Sequence, residues 1–343
     1  MGRQIRIEFA GAIYHVMARG DRQEQIVDDD EDRRRFEQLW VEAIERSGWQ
    51  VFAWVLMTNH YHAVIRTPEP NLVDGMRWVQ NTWTKRYNAR HQQWGHLFGG
   101  RYKAILCAEG QYLHALINYV HLNPVRAGLV KRTRPLYDFQ WCSLADYSKG
   151  TTKRRKWVEA SEGLKHMGFE DTATGRKKYL RGLEKLVNWD EKQAAGKTQI
   201  EGQSLQSTLK RGWYFGAQTF KEDLLKKLEK LKKSKSNRLR PVDGYVMGET
   251  KDYGIKQAQK ILHEGLKYYD LKRNHLKDLK KGDPRKVVIA TLIRQRTTIS
   301  LGWISEQLWM GATPRISGAV SEMIRTGENK AEREVIIENV KIY

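Results

Sequence analysis

Cysteine is scarce in this chain: Cys107 and Cys142 are the only two. They form no Cys-x-x-Cys metal spacing and no disulfide framework of the kind that staples small secreted domains, so both are expected in an apolar core. Also lacking is any run of about 18 apolar residues, the length a membrane-spanning helix requires, and the first residues show no apolar stretch of the secretory-leader type. With a mean hydropathy of −0.69, these absences favour a cytoplasmic protein without a membrane partner. Acidic residues are outnumbered, 40 Asp and Glu against 61 Lys and Arg, which gives a formal charge of +21 and a pI near 9.8. That surplus favours a polyanionic partner, nucleic acid ahead of an anionic membrane. No dispersed carboxylate triad stands out, which disfavours chemistry built on three separated acidic residues. The length, 343 residues, allows two or more domains.

The most informative positive feature is Asn59-His60-Tyr61-His62, followed about sixty residues later by Tyr119 and Asn123. Apolar and β-prone residues at 51–57 and 63–65 place His60 and His62 at the start of a buried strand, where side chains two apart share a face. Leu113, Leu116, Ile117 and Val120 recur at helical spacing, and a separation of four puts Tyr119 and Asn123 on one side of that helix. Two imidazoles suit a divalent metal and a phenol suits a nucleophile. Taken singly, a His-x-His pair is as readily a core feature, and a helical tyrosine is more often structural than catalytic.

The wording around these residues adds to that reading. Met57-Thr58-Asn59-His60-Tyr61-His62 and the stretch from Tyr119 through Asn123-Pro124-Val125-Arg126 to Val130 resemble the two signatures of the REP-associated tyrosine transposases, single-tyrosine His-hydrophobic-His (HUH) nucleases of the insertion-sequence type. The resemblance continues at 14–22, 98–106 and 141–147, so that five ordered blocks cover most of residues 10–150. Tyr61 departs from the pattern, which usually has an aliphatic or other apolar residue between the histidines. The resemblance implies attack on DNA by Tyr119, leaving a 5′-phosphotyrosine and a free 3′-hydroxyl, with single-stranded or hairpin DNA as partner and no nucleotide cofactor.

Attack on an anionic phosphodiester needs a positive centre on a non-bridging oxygen and a nucleophile in line with the leaving oxygen. His60, His62 and the side-chain oxygen of Asn123 are the candidate ligands, and two nitrogens with one neutral oxygen suit Mg²⁺ or Mn²⁺ better than a closed structural zinc site. His15, Arg19, Arg101 and Lys103 lie in the resembling blocks and are candidate phosphate contacts, with solvated surface cations as the plain alternative. His114 and His121 neighbour the tyrosine but point elsewhere on its helix and are not assigned as ligands.

Segment order gives the fold. Strands are expected at 13–19, 50–57, 61–67 and 97–107, and helices at 30–47, along the face Leu72, Met76, Val79, Trp83, Tyr87, and around Tyr119. A βαββαβ order is α+β, a ferredoxin-like antiparallel sheet backed by helices, which the family resemblance also implies. Asp28, Asp29 and Asp30 open the first helix, where carboxylates favour the positive end of the dipole; capping is a better account of them than a carboxylate metal site.

Beyond the nuclease-like domain at 1–148, residues 149–240 read as a helical basic extension with a polar linker at 148–156 and a Lys- and Arg-rich run at 226–240 that is either a solvated helix end and linker or a track for a DNA backbone, and residues 241–343 as a mainly helical C-terminal domain. Within the latter, 285–324 has helix-turn-helix spacing: one helix around 287–293, a second at 300–308, then Gly311 before Thr313 as N-cap and Pro314 as first residue of a third. Arg315 and Ser317 would then face a DNA groove, unless the three helices form a packing module. The chain is expected to be nucleoid-associated, as a monomer or a homodimer, and to act as a transposase-like nuclease. The alternative is a DNA-binding regulator that keeps the fold without turnover.

Overall fold

The computed structural model describes residues 7–131, 133–187, 199–200, 203–233, 245–246, 250–297 and 299–340. The chain divides into two compact units, residues 1–44 with 48–248, and residues 45–47 with 249–343.

In the first unit, β1 (Ile7–Glu8) pairs in parallel with Tyr245–Val246. The main sheet begins with β2 (Ala12–Arg19), followed by α1 (Asp30–Ser47), β3 (Gln50–Leu56), β4 (His60–Thr67), α2 (Leu72–His91), β5 (Lys103–Cys107) and α3 (Gln111–His121). The strand order β3-β4-β2-β5, antiparallel at every step, is the ferredoxin-like arrangement expected from the segment order. A two-residue strand, Tyr214–Phe215, adds in parallel to the β5 edge and makes the five-stranded sheet mixed. β5 is shorter than the strand expected from residue 97, because Gly99 and Gly100 interrupt it and Gly100 takes φ +143, a conformation that favours glycine.

Both faces of the sheet are covered, so its strands are buried almost throughout. One face carries Tyr14, Val16, Ala18, Tyr61, Ala63 and Ile65, cross-strand neighbours in the β2–β4 register, and packs on α1 and α2. Tyr61, at the departure from the sequence pattern, sits here: Phe36 and Trp40 lie 5.3 and 5.8 Å from its ring, and Phe36 meets Trp83 at 5.0 Å. The opposite face carries His15, Met17 and Arg19 beside Val64, His62 and His60. It packs against α3, which buries Leu113, Leu116, Ile117 and Val120. Asp29 caps α1 by accepting from Asp32 N at 2.8 Å, and Cys107 and Cys142 are both buried and free, as the sequence leads one to expect.

The outer edge of β3 would be an open template for pairing, but residues beyond the tyrosine helix close it. Leu56 N donates to Trp141 O and Glu159 N to Val51 O, with isolated bridges at Val55–Cys142 and Val51–Val158. The helices after α3, namely α4 (Asn123–Arg126), α5 (Leu144–Ser148), α6 (Ala160–His166), α7 (Ala173–Leu186), α8 (Leu205–Arg211) and α9 (Gln218–Lys233), feed Tyr147, Leu164, Tyr179, Leu183, Leu209 and Leu224 into the same core as the sheet. The stretch 148–156, polar and basic enough to read as a linker, is tied down: Arg155 bonds Asp146 at 2.7 Å and Glu37 at 2.6 Å, and Arg154 bonds Asp171 at 2.6 Å. Composition does not separate paired charges from solvated ones. Gly163 is required where α6 meets α5, since a Cβ there would lie 1.8 Å from the Tyr147 hydroxyl, which donates to Phe52 O. Of the basic run expected at 226–240, residues 234–240 lie outside the described residues.

The second unit is helical: α10 (Thr250–Tyr268), α11 (Pro284–Arg296), α12 (Leu301–Leu308), α13 (Thr313–Thr326) and α14 (Lys330–Asn339). α11 is its central helix, buried from Lys286 to Ile293. Ile316, Val320 and Met323 line the buried side of α13, which packs on α11 and α12. Ser300 caps α12 by accepting from Trp303 N at 3.3 Å. Thr313 is not the cap of α13; Ala312, with extended backbone at φ −65 and ψ 136, holds that position and Thr313 is the first helical residue. No helix among the described residues is long and apolar enough to cross a membrane.

Candidate active site

The antiparallel register and the two-residue period of β4 place His60 and His62 on the sheet face beneath α3. Their rings meet edge to face at 5.1 Å, and the Tyr119 ring lies 5.8 Å from His62. Two segments sixty residues apart thus converge through the packing of α3 on the sheet. Burial, with the charge of Arg19 adding to it, lowers the His60 pKa to about 4. His62 is lowered well below the usual range by burial, then by His15, His60 and Arg19. Both rings are therefore neutral near pH 7, the form in which imidazole binds metal.

His15 is placed differently from the expectation of a phosphate contact. It is fully enclosed, stacked on His62 at 5.0 Å and 6.2 Å from the Tyr119 ring, because the strand period puts it on the face covered by α3. Its Nε2 lies 2.8 Å from His62 Nδ1, so it is a partner of the site and is closed off from DNA. Burial, then the charge of Lys103, lowers its pKa to about 3. Arg19 is exposed and pairs across the strands with His60, Lys103 is half-buried opposite Met17, and Arg101 is exposed in the turn before β5.

Asn123 does not continue the tyrosine helix. α3 stops at His121, and Pro124, which lacks an N–H, sits in the first turn of α4. The i to i+4 relation survives the break: Asn123 Nδ2 donates to Tyr119 O at 3.0 Å, which leaves the amide oxygen as its accepting end. Arg126, not singled out from sequence although it lies in a resembling block, donates to the same carbonyl at 3.1 Å and places its guanidinium 5.0 Å from the Tyr119 ring centre. Burial raises the Tyr119 pKa, opposed by the Arg126 charge, a hydrogen bond with Asn123 and the Arg19 charge. These three groups favour the ionised form of the phenol.

His121 faces away from the site, as expected, and holds α3 in place. Tyr179 OH donates to Asn118 Oδ1 at 3.1 Å and so accepts from His121 Nδ1 at 2.7 Å; Ser143 Oγ lies 2.8 Å from His121 Nε2 and accepts from Trp54 N at 2.9 Å. The chain α7–α3–β3 is thereby linked by buried polar contacts, which are strong when every member is satisfied.

Among the described residues, one group of three His, Cys, Asp or Glu side chains brings its ligand atoms within 4.8 Å: Asp28, Asp32 and His91. Its atoms are already engaged. Asp28 Oδ1 accepts from Tyr87 OH, and Asp32 accepts from Asp28 N, His91 and Arg90. The Arg90 guanidinium, also bonded to Asp29 at 2.7 Å, supplies the positive charge a cation would bring, so this cluster is a helix-end network. The donors beneath Tyr119 fit a divalent ion better: two neutral imidazoles side by side, with an amide oxygen on the neighbouring helix.

Residues 9–123, which include β2 to β5, α3, both histidines, Tyr119 and Asn123, match the family model for IS200-like transposases. Among solved structures, the chain is similar to a REP-associated tyrosine transposase bound to a REP hairpin, with 14% identity over 46% of this chain and 98% of that chain and a TM-score of 0.37. No curated protein matches. This match spans the sheet and the tyrosine helix, about a third of the chain, and over residues 9–123 the chain is similar to the IS200-like transposases.

Proposed function

We propose that this protein is a divalent-metal-dependent single-stranded DNA endonuclease and strand transferase acting on hairpin or palindromic repeat DNA. The observation that carries the reading is the convergence of Tyr119 on the His60–His62 pair, with ring centres 5.8 Å apart for Tyr119 and His62. His60, His62 and the Asn123 oxygen would hold Mg²⁺ or Mn²⁺, which when bound supplies positive charge to a non-bridging phosphate oxygen. The Tyr119 phenol oxygen attacks phosphorus, the bond from phosphorus to the 3′ oxygen breaks, and the proton lost by the phenol is balanced by the one the 3′-hydroxyl gains. The product is a 5′-phosphotyrosine, and attack by a 3′-hydroxyl on that ester reverses the step and joins strands. Arg126 and Asn123 support the phenolate through the contacts described above. Arg19, Arg101 and Lys103 supply positive charge for the DNA backbone around the site.

In this reading residues 250–340 form an appended DNA-binding module in which α12 and α13 act as a helix-turn-helix pair. Arg315 and Ser317 are both exposed near the start of α13, flanking its buried row of Ile316, Val320 and Met323 on either side, where they can reach a groove that takes the start of the helix.

The deciding experiment is incubation of the protein with end-labelled hairpin oligonucleotides and Mn²⁺, followed by detection of a covalent adduct. Tyr119→Phe should abolish the adduct and keep DNA binding. Tyr112→Phe, at a buried ring that meets Phe215 at 5.0 Å, should leave it. An adduct that survives in Tyr119→Phe and vanishes in Tyr112→Phe reassigns the nucleophile. DNA binding with no adduct in the native protein favours a regulator that keeps the fold without turnover.

A further inference from the structure

Asn59 precedes the first histidine and is spent on two contacts with opposite requirements. Its Nδ2 donates to the Gln23 carbonyl at 3.1 Å, and its Oδ1 lies 2.6 Å from His60 Nδ1. A carbonyl only accepts, so the Gln23 contact fixes which end of the amide faces which partner. Asn59 Oδ1 also only accepts, so His60 Nδ1 carries the proton and its Nε2 keeps the lone pair. The turn that aims the Gln23 carbonyl is an unusual one, with Arg22 and Gln23 both at positive φ, 49 and 69, a conformation unfavourable for residues other than glycine. It is tied to the same segment by Gly20 N donating to Asn59 O at 2.9 Å.

His62 is constrained from the other side. Its Nδ1 is spent on His15 Nε2, 2.8 Å away in a stacked pair, so Nε2 is the nitrogen left over. His15 keeps a second ring nitrogen, Nδ1, that is buried without a hydrogen-bond partner. An apolar side chain would fill that space without leaving a polar atom unsatisfied, so packing does not account for a histidine there.

We propose that Asn59 and His15 are positioning residues: Asn59 sets the tautomer of His60, and His15 occupies Nδ1 of His62 and holds its ring, so that both rings present Nε2 to a divalent cation. The inference rests on the metal reading of this site. A hydrogen-bonded partner on the far ring nitrogen fixes both the orientation and the basicity of a ligating histidine, and its loss typically weakens metal binding by about 10- to 100-fold.

The test uses the full-length protein with ¹⁵N-labelled histidine. Long-range ¹H–¹⁵N spectra of the metal-free protein report each ring's tautomer, and Mn²⁺ titrations followed by EPR report affinity without any turnover. His60 is expected as the Nδ1–H tautomer. Asn59→Leu should shift it toward Nε2–H and weaken Mn²⁺ binding by about 10- to 100-fold, while Asn59→Asp, which keeps an accepting oxygen, should restore both. His15→Phe should weaken Mn²⁺ binding by a similar factor, with His15→Gln recovering part of it. A native His60 found as Nε2–H overturns the proposal even if the variants do not fold, as does an Asn59→Leu protein with native tautomer and native Mn²⁺ isotherm. Native tautomers and Mn²⁺ binding without a DNA adduct leave this inference standing while removing the nuclease reading; a native protein that binds no Mn²⁺ removes the metal reading and this inference with it.

Discussion

The guanidinium of Arg126 lies 5.0 Å from the centre of the Tyr119 ring while donating to the backbone carbonyl of the same residue. One side chain thereby orients the turn that carries Tyr119 and places a positive charge against its ring. Arg126→Gln removes the charge from a partly desolvated site, where such a contact is worth about 1–2 kcal/mol. Adduct formation is expected to slow by about tenfold or more, with Mn²⁺ affinity unchanged and Arg126→Lys intermediate. Equal single-turnover rates in all three proteins would leave Arg126 a purely structural residue.

His60→Ala and His62→Ala should each abolish cleavage, because loss of a ligand removes several kcal/mol of charge stabilisation. A chelator should do the same to the native protein, and excess Mg²⁺ or Mn²⁺ should reverse it. Both variants are expected to retain the fold by circular dichroism, since the sheet's larger apolar layer, on Tyr61, Ala63 and Ile65, faces the other way. Full cleavage in chelator is the result that would discard the metal.

His121 offers a pH test of the framework behind the tyrosine. Burial lowers its pKa to about 3, against about 6.5 in an unfolded chain. Below pH 6.5 the unfolded chain gains a proton that the folded one does not, so the stability His121 contributes is complete above that value and is lost as pH falls toward 3. Between pH 7 and pH 5 the loss from this one group is on the order of 2 kcal/mol. Urea unfolding at the two pH values should show a smaller drop for His121→Gln than for the native protein. Equal drops would mean that His121 takes a proton in the folded state.

Arg315→Ala addresses the helical module. In the full chain it should weaken binding to target DNA and reduce the salt slope of log K by about one, while cleavage of saturating substrate stays native. Unchanged affinity and slope would assign the exposed start of α13 to a protein partner or to none.

Local periodicity in the sequence already determined much of the first unit. The apolar, β-prone runs at 51–57 and 63–65 placed His60 and His62 on a strand, where residues two apart share a face, and the 3.6-residue recurrence of Leu113, Leu116, Ile117 and Val120 placed Tyr119 on a helix, because both signals depend on neighbours a few residues apart. The start of α1 at Asp30 was equally legible, since a carboxylate cap is a local device. Local signals also misled in places: the apolar residues at 97–98 suggested strand although two glycines follow, and Thr313 resembled a cap although the helix already includes it and Ala312 holds that position.

What only the tertiary structure decided is which distant surface covers each face. His15 shares the strand period of any β2 residue, yet packing of α3 across the sheet turned it from a surface candidate into the buried partner of His62. The basic stretch at 148–156 has the composition of a linker, yet Asp146, Glu37 and Asp171 pair its arginines and draw α6 and α7 over the edge of β3. Arg126 and Asn59 read as ordinary polar residues until the positions of the Tyr119 carbonyl, the His60 ring and the Gln23 carbonyl are known. The physical reason is the same in each case: periodicity records how a residue relates to its chain neighbours, whereas burial and hydrogen-bond direction depend on groups brought together from tens of residues away.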